Sequence, residues 1–412
     1  MPGRTARTAL ASLMMLASVL PSGVLATPAA AKRVAARCTS ALAPVEPVTE
    51  TPWAQQRYLP SRLAPLATGT GVTVAVIDSG VDTRHAQLRG RVLKGVDLLD
   101  RGPDGNLDCA GHGTAVASII AATSQQGVAF HGLAPQARIL PVRISEQQII
   151  EGRESGRTVT PAQFARAIRW AVDNDASVLN LSVVLYDDNP AVRAAIDYAV
   201  GKDVVVVAAA GNLHENGDPL PYPAAYEGVL GVGAIGPDGV RAPFSQVGTY
   251  VDVVAPGSGV LAAVPGRGHR KQEGTSYAAP FVSATAALIR QYWPDLSAAQ
   301  VIDRITATAD PAPAGTDSRA YGSGVLNPYR AVTDTSSVEQ RPRPARALPA
   351  QQVDPAVTAT QERRATVRQR ALWLAGVGGI LAGAVVLLAV VLPRGARRRW
   401  RPAGPAETWG GP

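Results

Sequence analysis

Val74-Ala75-Val76-Ile77-Asp78-Ser79-Gly80 is the stretch on which the reading of this chain turns. Four consecutive apolar residues predict a strand buried on both faces, and such strands belong to parallel sheets. The run ends on a carboxylate, which places Asp78 at the strand's carboxyl end. Two further blocks follow in order: Gly111-His112-Gly113-Thr114 and Gly274-Thr275-Ser276-Tyr277-Ala278-Ala279-Pro280. Each opens a run of small and apolar residues, 114–122 and 277–289, of the kind a buried helix carries.

A carboxylate, an imidazole and a hydroxyl presented in this way have one chemistry in common. A serine hydroxyl is a poor nucleophile near neutral pH; it needs a base, and the base needs a partner that fixes its tautomer. The expected roles are Ser276 as nucleophile, His112 as base and Asp78 as the group that orients and stabilises the imidazolium. Gly111 and Gly113 allow a tight turn around His112, and a serine at a helix N-terminus meets free amides as negative charge develops. A fourth block adds a donor. The apolar run 204–210 ends in Gly211-Asn212, and the Asn212 amide is the expected oxyanion donor. His85, His131, His214 and His269 have no matching partner motif and are expected in surface or loop roles.

From Gly71 onward, segments of strand and helix character alternate. Strands are expected over 72–77, 137–144, 177–184, 203–209, 229–234 and 251–255. Thr160-Pro161 and Asn189-Pro190 open helices that run to about Asn174 and Gly201. Ser297 with Gln300 makes a capping box for a helix through Thr308. The alternation predicts an α/β class fold, a mostly parallel sheet between layers of helices, with chemistry at the carboxyl ends of strands.

Together the four blocks, in this order and spacing, resemble the subtilisin-like serine proteases, the subtilases, over about residues 71–332. The resemblance implies their three-layer α/β fold, a serine endopeptidase activity without a cofactor, and the roles given above to Asp78, His112, Asn212 and Ser276. The cleft strand departs from the usual pattern. Asn180-Leu181-Ser182-Val183-Val184 has a valine where many subtilases have glycine, so a narrow primary pocket lined by Ser182, Val183, Val184 and Gly211 is expected.

The ends of the chain carry a second layer of information. Arg4 and Arg7 precede an apolar stretch over 9–20 and then small residues, which predicts a secretory signal peptide within residues 1–31. Residues 371–392 form an uncharged run of 22, long enough to span a membrane, with Arg394, Arg397, Arg398, Arg399 and Arg401 behind it. The expected topology is a catalytic domain outside, a single transmembrane helix over 371–392 and a cytoplasmic tail over 393–412. The net charge of +8 does not indicate a nucleic-acid partner. From Arg341 to the end, 12 arginines face 3 acidic residues, so the rest of the chain is close to neutral.

Only two cysteines occur, Cys38 and Cys109. In an exported protein an isolated pair is expected to form a disulfide, here closing a loop of about 70 residues worth roughly 4 kcal/mol. It would tether an N-terminal extension over residues 32–70, with Trp53 and Tyr58 as candidate anchors, to a catalytic domain over 71–333. Residues 334–370, rich in Pro and Arg, read as a linker. The acidic segment with Asp97, Asp100, Asp104, Asn106 and Asp108 matches no complete cation loop and is read, like the polar stretch 145–160, as solvated; no metal is expected.

The cysteine just before the histidine block, the segment Pro52-Trp53-Ala54-Gln55-Gln56-Arg57 and the order of signal, extension, protease, stalk, span and basic tail resemble the mycosins. These are membrane-anchored subtilases of type VII secretion systems. That resemblance implies protein substrates among exported proteins, components of the secretion complex as partners, and an extracytoplasmic, periplasm-facing site. It also implies an alternative, a structural subunit of that complex that acts without catalysis.

Overall fold

The computed structural model describes residues 48–335, apart from 101, 103, 147, 151, 152 and 314–317, together with Arg394. The expected signal peptide, Cys38, most of the linker, the span 371–392 and the rest of the tail lie outside the described residues. Among the described residues no helix is long and apolar enough to cross a membrane.

The strands are β1 (Thr73–Asp78), β2 (Val96–Asp97), β3 (Arg138–Arg143), β4 (Gln148–Ile150), β5 (Arg153–Ser155), β6 (Val178–Leu181), β7 (Val205–Ala209), β8 (Val229–Ile235), β9 (Val253–Pro256), β10 (Val260–Ala263) and β11 (His269–Gln272). The α-helices are α1 (Trp53–Tyr58), α2 (Pro60–Leu63), α3 (His112–Ala121), α4 (Pro161–Asp173), α5 (Pro190–Gly201), α6 (Thr275–Tyr292), α7 (Ala298–Ala307) and α8 (Pro328–Thr333). Seven strands form one sheet in the order β2-β3-β1-β6-β7-β8-β9, and every neighbouring pair is parallel.

Apolar runs rather than alternating ones build this sheet because both of its faces are covered. On β1, Val74 and Val76 enter the core shared with α3 and α6, while Ala75 and Ile77 enter the core shared with α4 and α5. β7 divides the same way, Val205 and Val207 to one side and Val206 and Ala208 to the other. Helix starts follow local chemistry. Thr160 Oγ1 accepts from the Gln163 amide N–H at 3.3 Å while Gln163 Oε1 accepts from the Thr160 N–H at 3.0 Å, and Ser297 with Gln300 repeats the motif. Asn189 Oδ1 caps α5.

Four expectations change. The strand expected over 177–184 stops at Leu181, because Ser182 turns out of the sheet toward α6. Within the extension, Pro52 and Pro60 start two short helices that pack Ala54, Tyr58 and Leu63 into the core. Isolated helices this short are unstable, so tertiary contact holds them. Trp53 Nε1 donates to the Gly259 carbonyl at 3.1 Å, and the Tyr58 ring meets Phe281 of α6 edge-on at 5.5 Å.

The stretch 145–160 contains the antiparallel hairpin β4–β5, and the acidic segment before it is not wholly solvated. Asp97 and Asp108 are 4% exposed. Arg143, fully buried at the end of β3, donates to Asp97 at 2.5 Å and Asp100 at 2.9 Å and also binds Glu146; Arg157 joins Asp100 to Glu146 from outside. Two guanidinium groups thus neutralise carboxylates that would otherwise be hydrated. His85 and His269 are buried rather than at the surface, because the hairpin β10–β11 folds against α3 and carries His269 onto Phe130 and His85.

Candidate active site

The parallel sheet brings the ends of β1, β6 and β7 to one edge, where α3 and α6 begin. Asp78 is the last residue of β1, His112 the first of α3 and Ser276 the second of α6. His112 Nδ1 lies 2.8 and 2.9 Å from the two Asp78 oxygens, and its Nε2 lies 3.0 Å from Ser276 Oγ. Asp78 and Ser276 are 3% and 9% exposed. The carboxylate beside Nδ1 fixes the tautomer: the proton sits on Nδ1, and Nε2 is left as the acceptor for the serine hydroxyl. Burial alone would lower the basicity of His112. The Asp78 charge and hydrogen bond, with the Asp108 charge behind them, outweigh that effect and raise it above its ordinary value.

Two local features set up the nucleophile. Pro280 lies inside α6 and has no N–H, so the Ser276 carbonyl lacks the partner four residues on that a helix normally supplies. Ser182 Oγ donates to that carbonyl at 3.0 Å and accepts from Asn180 Nδ2 at 2.9 Å. Gly274 precedes the helix with φ 144°, and a Cβ built there would stand 3.0 Å from Ser276 Oγ and 3.4 Å from Asn212 Nδ2. Its missing side chain leaves room for a reacting group between the hydroxyl and the amide.

Asn212 is oriented by the Thr275 backbone N–H, a donor that cannot reverse. Its Oδ1 accepts from the Thr275 N–H at 2.9 Å and from Thr275 Oγ1 at 2.9 Å, which turns Nδ2 the other way, toward Gly274 and Ser276. Thr275 Oγ1 in turn accepts from the Gly211 N–H at 3.1 Å. Ser182, Val183 and Val184 are half-buried beyond the end of β6. The sites expected for nucleophile, base, carboxylate and amide therefore lie together, with Ser182 and Gly211 bonded to the α6 N-terminus. Cys109 sits three residues before His112, and Cys38 lies outside the described residues.

Some supports were not evident in the sequence. Ser79, Asp108 and Thr114 form a buried hydrogen-bonded cluster behind Asp78 and His112, and Thr275 holds Asn212. Gln246, fully buried, receives the Leu213 N–H just after Asn212 at 3.2 Å. Among the described residues no group of three or more His, Cys, Asp or Glu side chains could hold a metal ion. The arrangement suits acyl transfer by a serine nucleophile: base, orienting carboxylate and a free amide donor surround one hydroxyl.

Residues 69–324 match the subtilase family. A thermophilic serine proteinase of Bacillus sp. (strain AK1) is 40% identical over 266 residues, which cover 64% of this chain and 62% of that protein. Mycosin-1 of Mycobacterium tuberculosis is 38% identical over 331 residues, covering 69% of this chain and 73% of that protein. The structure of MycP1, described as a serine protease and an essential component of the type VII (ESX-1) secretion system, superimposes with a TM-score of 0.61 at 34% identity. The match covers 71% of this chain and 91% of that one.

Proposed function

The chain belongs to the subtilase family and is a mycosin-like subtilisin, and on that premise we propose a membrane-anchored serine endopeptidase that cleaves a narrow set of exported proteins beside a type VII secretion complex. The observation that carries the catalytic part is the continuous line Asp78–His112–Ser276, with contacts of 2.8 and 3.0 Å. Ser276 Oγ attacks the scissile carbonyl while its proton passes to His112 Nε2. Asp78 stabilises the imidazolium, and Asn212 Nδ2 donates to the oxyanion. His112 then gives its proton to the leaving amine, and water repeats the cycle on the acyl-enzyme.

Val184 supports the narrow substrate range, because it takes the place of the glycine that many subtilases carry in the cleft strand. The charge-free run 371–392 with its basic flank supports a single-pass anchor, and the N-terminal pattern supports export, with the linker between. A Cys38–Cys109 disulfide would tie the extension to the loop before His112. The likeness to MycP1, described as an essential component of the type VII (ESX-1) secretion system, supports the secretion role and partners. Digestion of a diverse peptide library by the full-length protein and its Ser276→Ala variant tests the reading. A few related cleavages by the wild type and none by the variant are expected; equal cleavage by both would refute it.

A further inference from the structure

The Asp78–His112 couple is backed by a second buried carboxylate that the chemistry above does not use. Asp108, 4% exposed, receives four hydrogen bonds. Its Oδ1 accepts from Ser79 Oγ at 2.8 Å and the Gly111 N–H at 2.7 Å; its Oδ2 accepts from the Thr114 N–H at 2.8 Å and Thr114 Oγ1 at 2.5 Å. The donors come from two segments. Ser79 directly follows Asp78, and Gly111 and Thr114 flank His112. Both hydroxyls then accept in their turn, Ser79 Oγ from the Gly113 N–H at 2.9 Å and Thr114 Oγ1 from the Asp82 N–H at 2.9 Å. A closed network thus stitches the turn after β1 to the first turn of α3, with Asp108 at its centre.

We propose that Asp108 is a positioning residue for catalysis: its ionised carboxylate fixes the relation between Asp78 and His112 that keeps the imidazole in line with Ser276. This rests on the reading of Ser276 as nucleophile. The requirement for a carboxylate follows from the donors. Each oxygen faces a backbone N–H, Gly111 on one side and Thr114 on the other, and neither can reverse. An asparagine in either flip therefore sets its NH₂ against an N–H, and a protonated acid loses an acceptor on one side. Burial pushes the Asp108 carboxyl up to about 6, so the network is complete at neutral pH and opens as the pH falls. The charged and titratable groups facing His112 are Asp78 at the end of β1, Asp108 ahead of α3, and Ser276 and Tyr277 on α6, the Tyr277 ring centroid 5.0 Å away.

The test is the pH dependence of labelling by a fluorophosphonate for the full-length protein in detergent, its Asp108→Asn variant and its Ser79→Ala variant. It is paired with the downfield proton resonance of the His112 Nδ1–H···Asp78 bond. The wild type is expected to lose labelling on the acid side more steeply than one proton requires. Asp108→Asn should label about 100-fold more slowly at its plateau, as a misplaced base would. Its acid limb should become a one-proton limb at lower pH, because one negative charge near His112 is gone, and the downfield resonance should shift or broaden. Ser79→Ala keeps the carboxylate, so it should keep the steep limb with a fall of about tenfold or less.

A merely structural cap would lower thermal stability and leave plateau, limb and resonance as they are; that result overturns the proposal. If Asp108→Asn does not fold, Asp108→Glu, which keeps the charge but displaces both oxygens from their donors, takes its place, and a plateau and resonance equal to the wild type overturn the proposal. If the wild type is not labelled at any pH, the nucleophile reading fails instead, and the resonance in Asp108→Asn still decides the positioning role.

Discussion

Ser182 Oγ donates a 3.0 Å hydrogen bond to the carbonyl of Ser276, the one that Pro280 deprives of its helical partner. A residue from the end of β6 thus completes the first turn of the helix that presents the nucleophile. Ser182→Ala leaves that carbonyl without its donor. The expected loss is about 1–3 kcal/mol of stability, read from urea unfolding. An unchanged midpoint would mean that water replaces the hydroxyl.

Asn212→Ala removes the amide aimed at the space beside Gly274. Thr275 Oγ1 still accepts from Gly211, so the fold should survive. Turnover of a cleaved peptide is expected to fall about 10²–10³-fold with little change in KM, the size known for such a donor in subtilisin itself. A rise in KM alone would make Asn212 a substrate-binding group rather than an oxyanion donor.

His85 and His269 give the fold an acid weakness separate from the active site. Burial lowers both, His269 to about 4 with the neighbouring His85 adding to the effect. Groups facing them include Asp82, Gln87, which bonds His269 Nε2 at 2.7 Å, and the Phe130 ring. Folded-state values below the unfolded one mean that the unfolded chain binds the extra protons first. Stability is therefore full above about 6.5 and is lost as the pH falls toward 4. His269→Gln should flatten the fall in Tm between pH 7 and 4.5; an equally steep fall would place the acid sensitivity elsewhere.

Arg143 and Arg157 share carboxylates but differ in burial, 0% against 58% side-chain exposure. Arg143→Met strands Asp97 in the interior and should cost about 3–5 kcal/mol, largely insensitive to salt. Arg157→Ala should cost about 1 kcal/mol or less, and less still at high salt. Equal losses in urea unfolding would contradict the assignment of Arg143 as the buried centre of this cluster.

What the sequence could convey was local. The run 74–77, the caps at Thr160, Asn189 and Ser297, and the blocks around Asp78, His112, Asn212 and Ser276 each carry their pattern within a few residues. The Ser79–Asp108–Thr114 network joins segments about 30 residues apart; Ser79 and Thr114 stand inside the marked blocks, but nothing in the order of the chain shows that both bond the same buried carboxylate. His269 stands among polar residues and is buried only because its hairpin closes on α3. Trp53 and Tyr58 were legible as anchors, but the helices around them exist only through contact with the core.

The most direct measurement of the central claim is reaction of the full-length protein with a fluorophosphonate, read by intact mass beside Ser276→Ala. A single phosphonyl adduct on the wild type and none on the variant is the predicted result. An adduct on both, or on neither while both are folded, would contradict Ser276 as a nucleophile activated by His112.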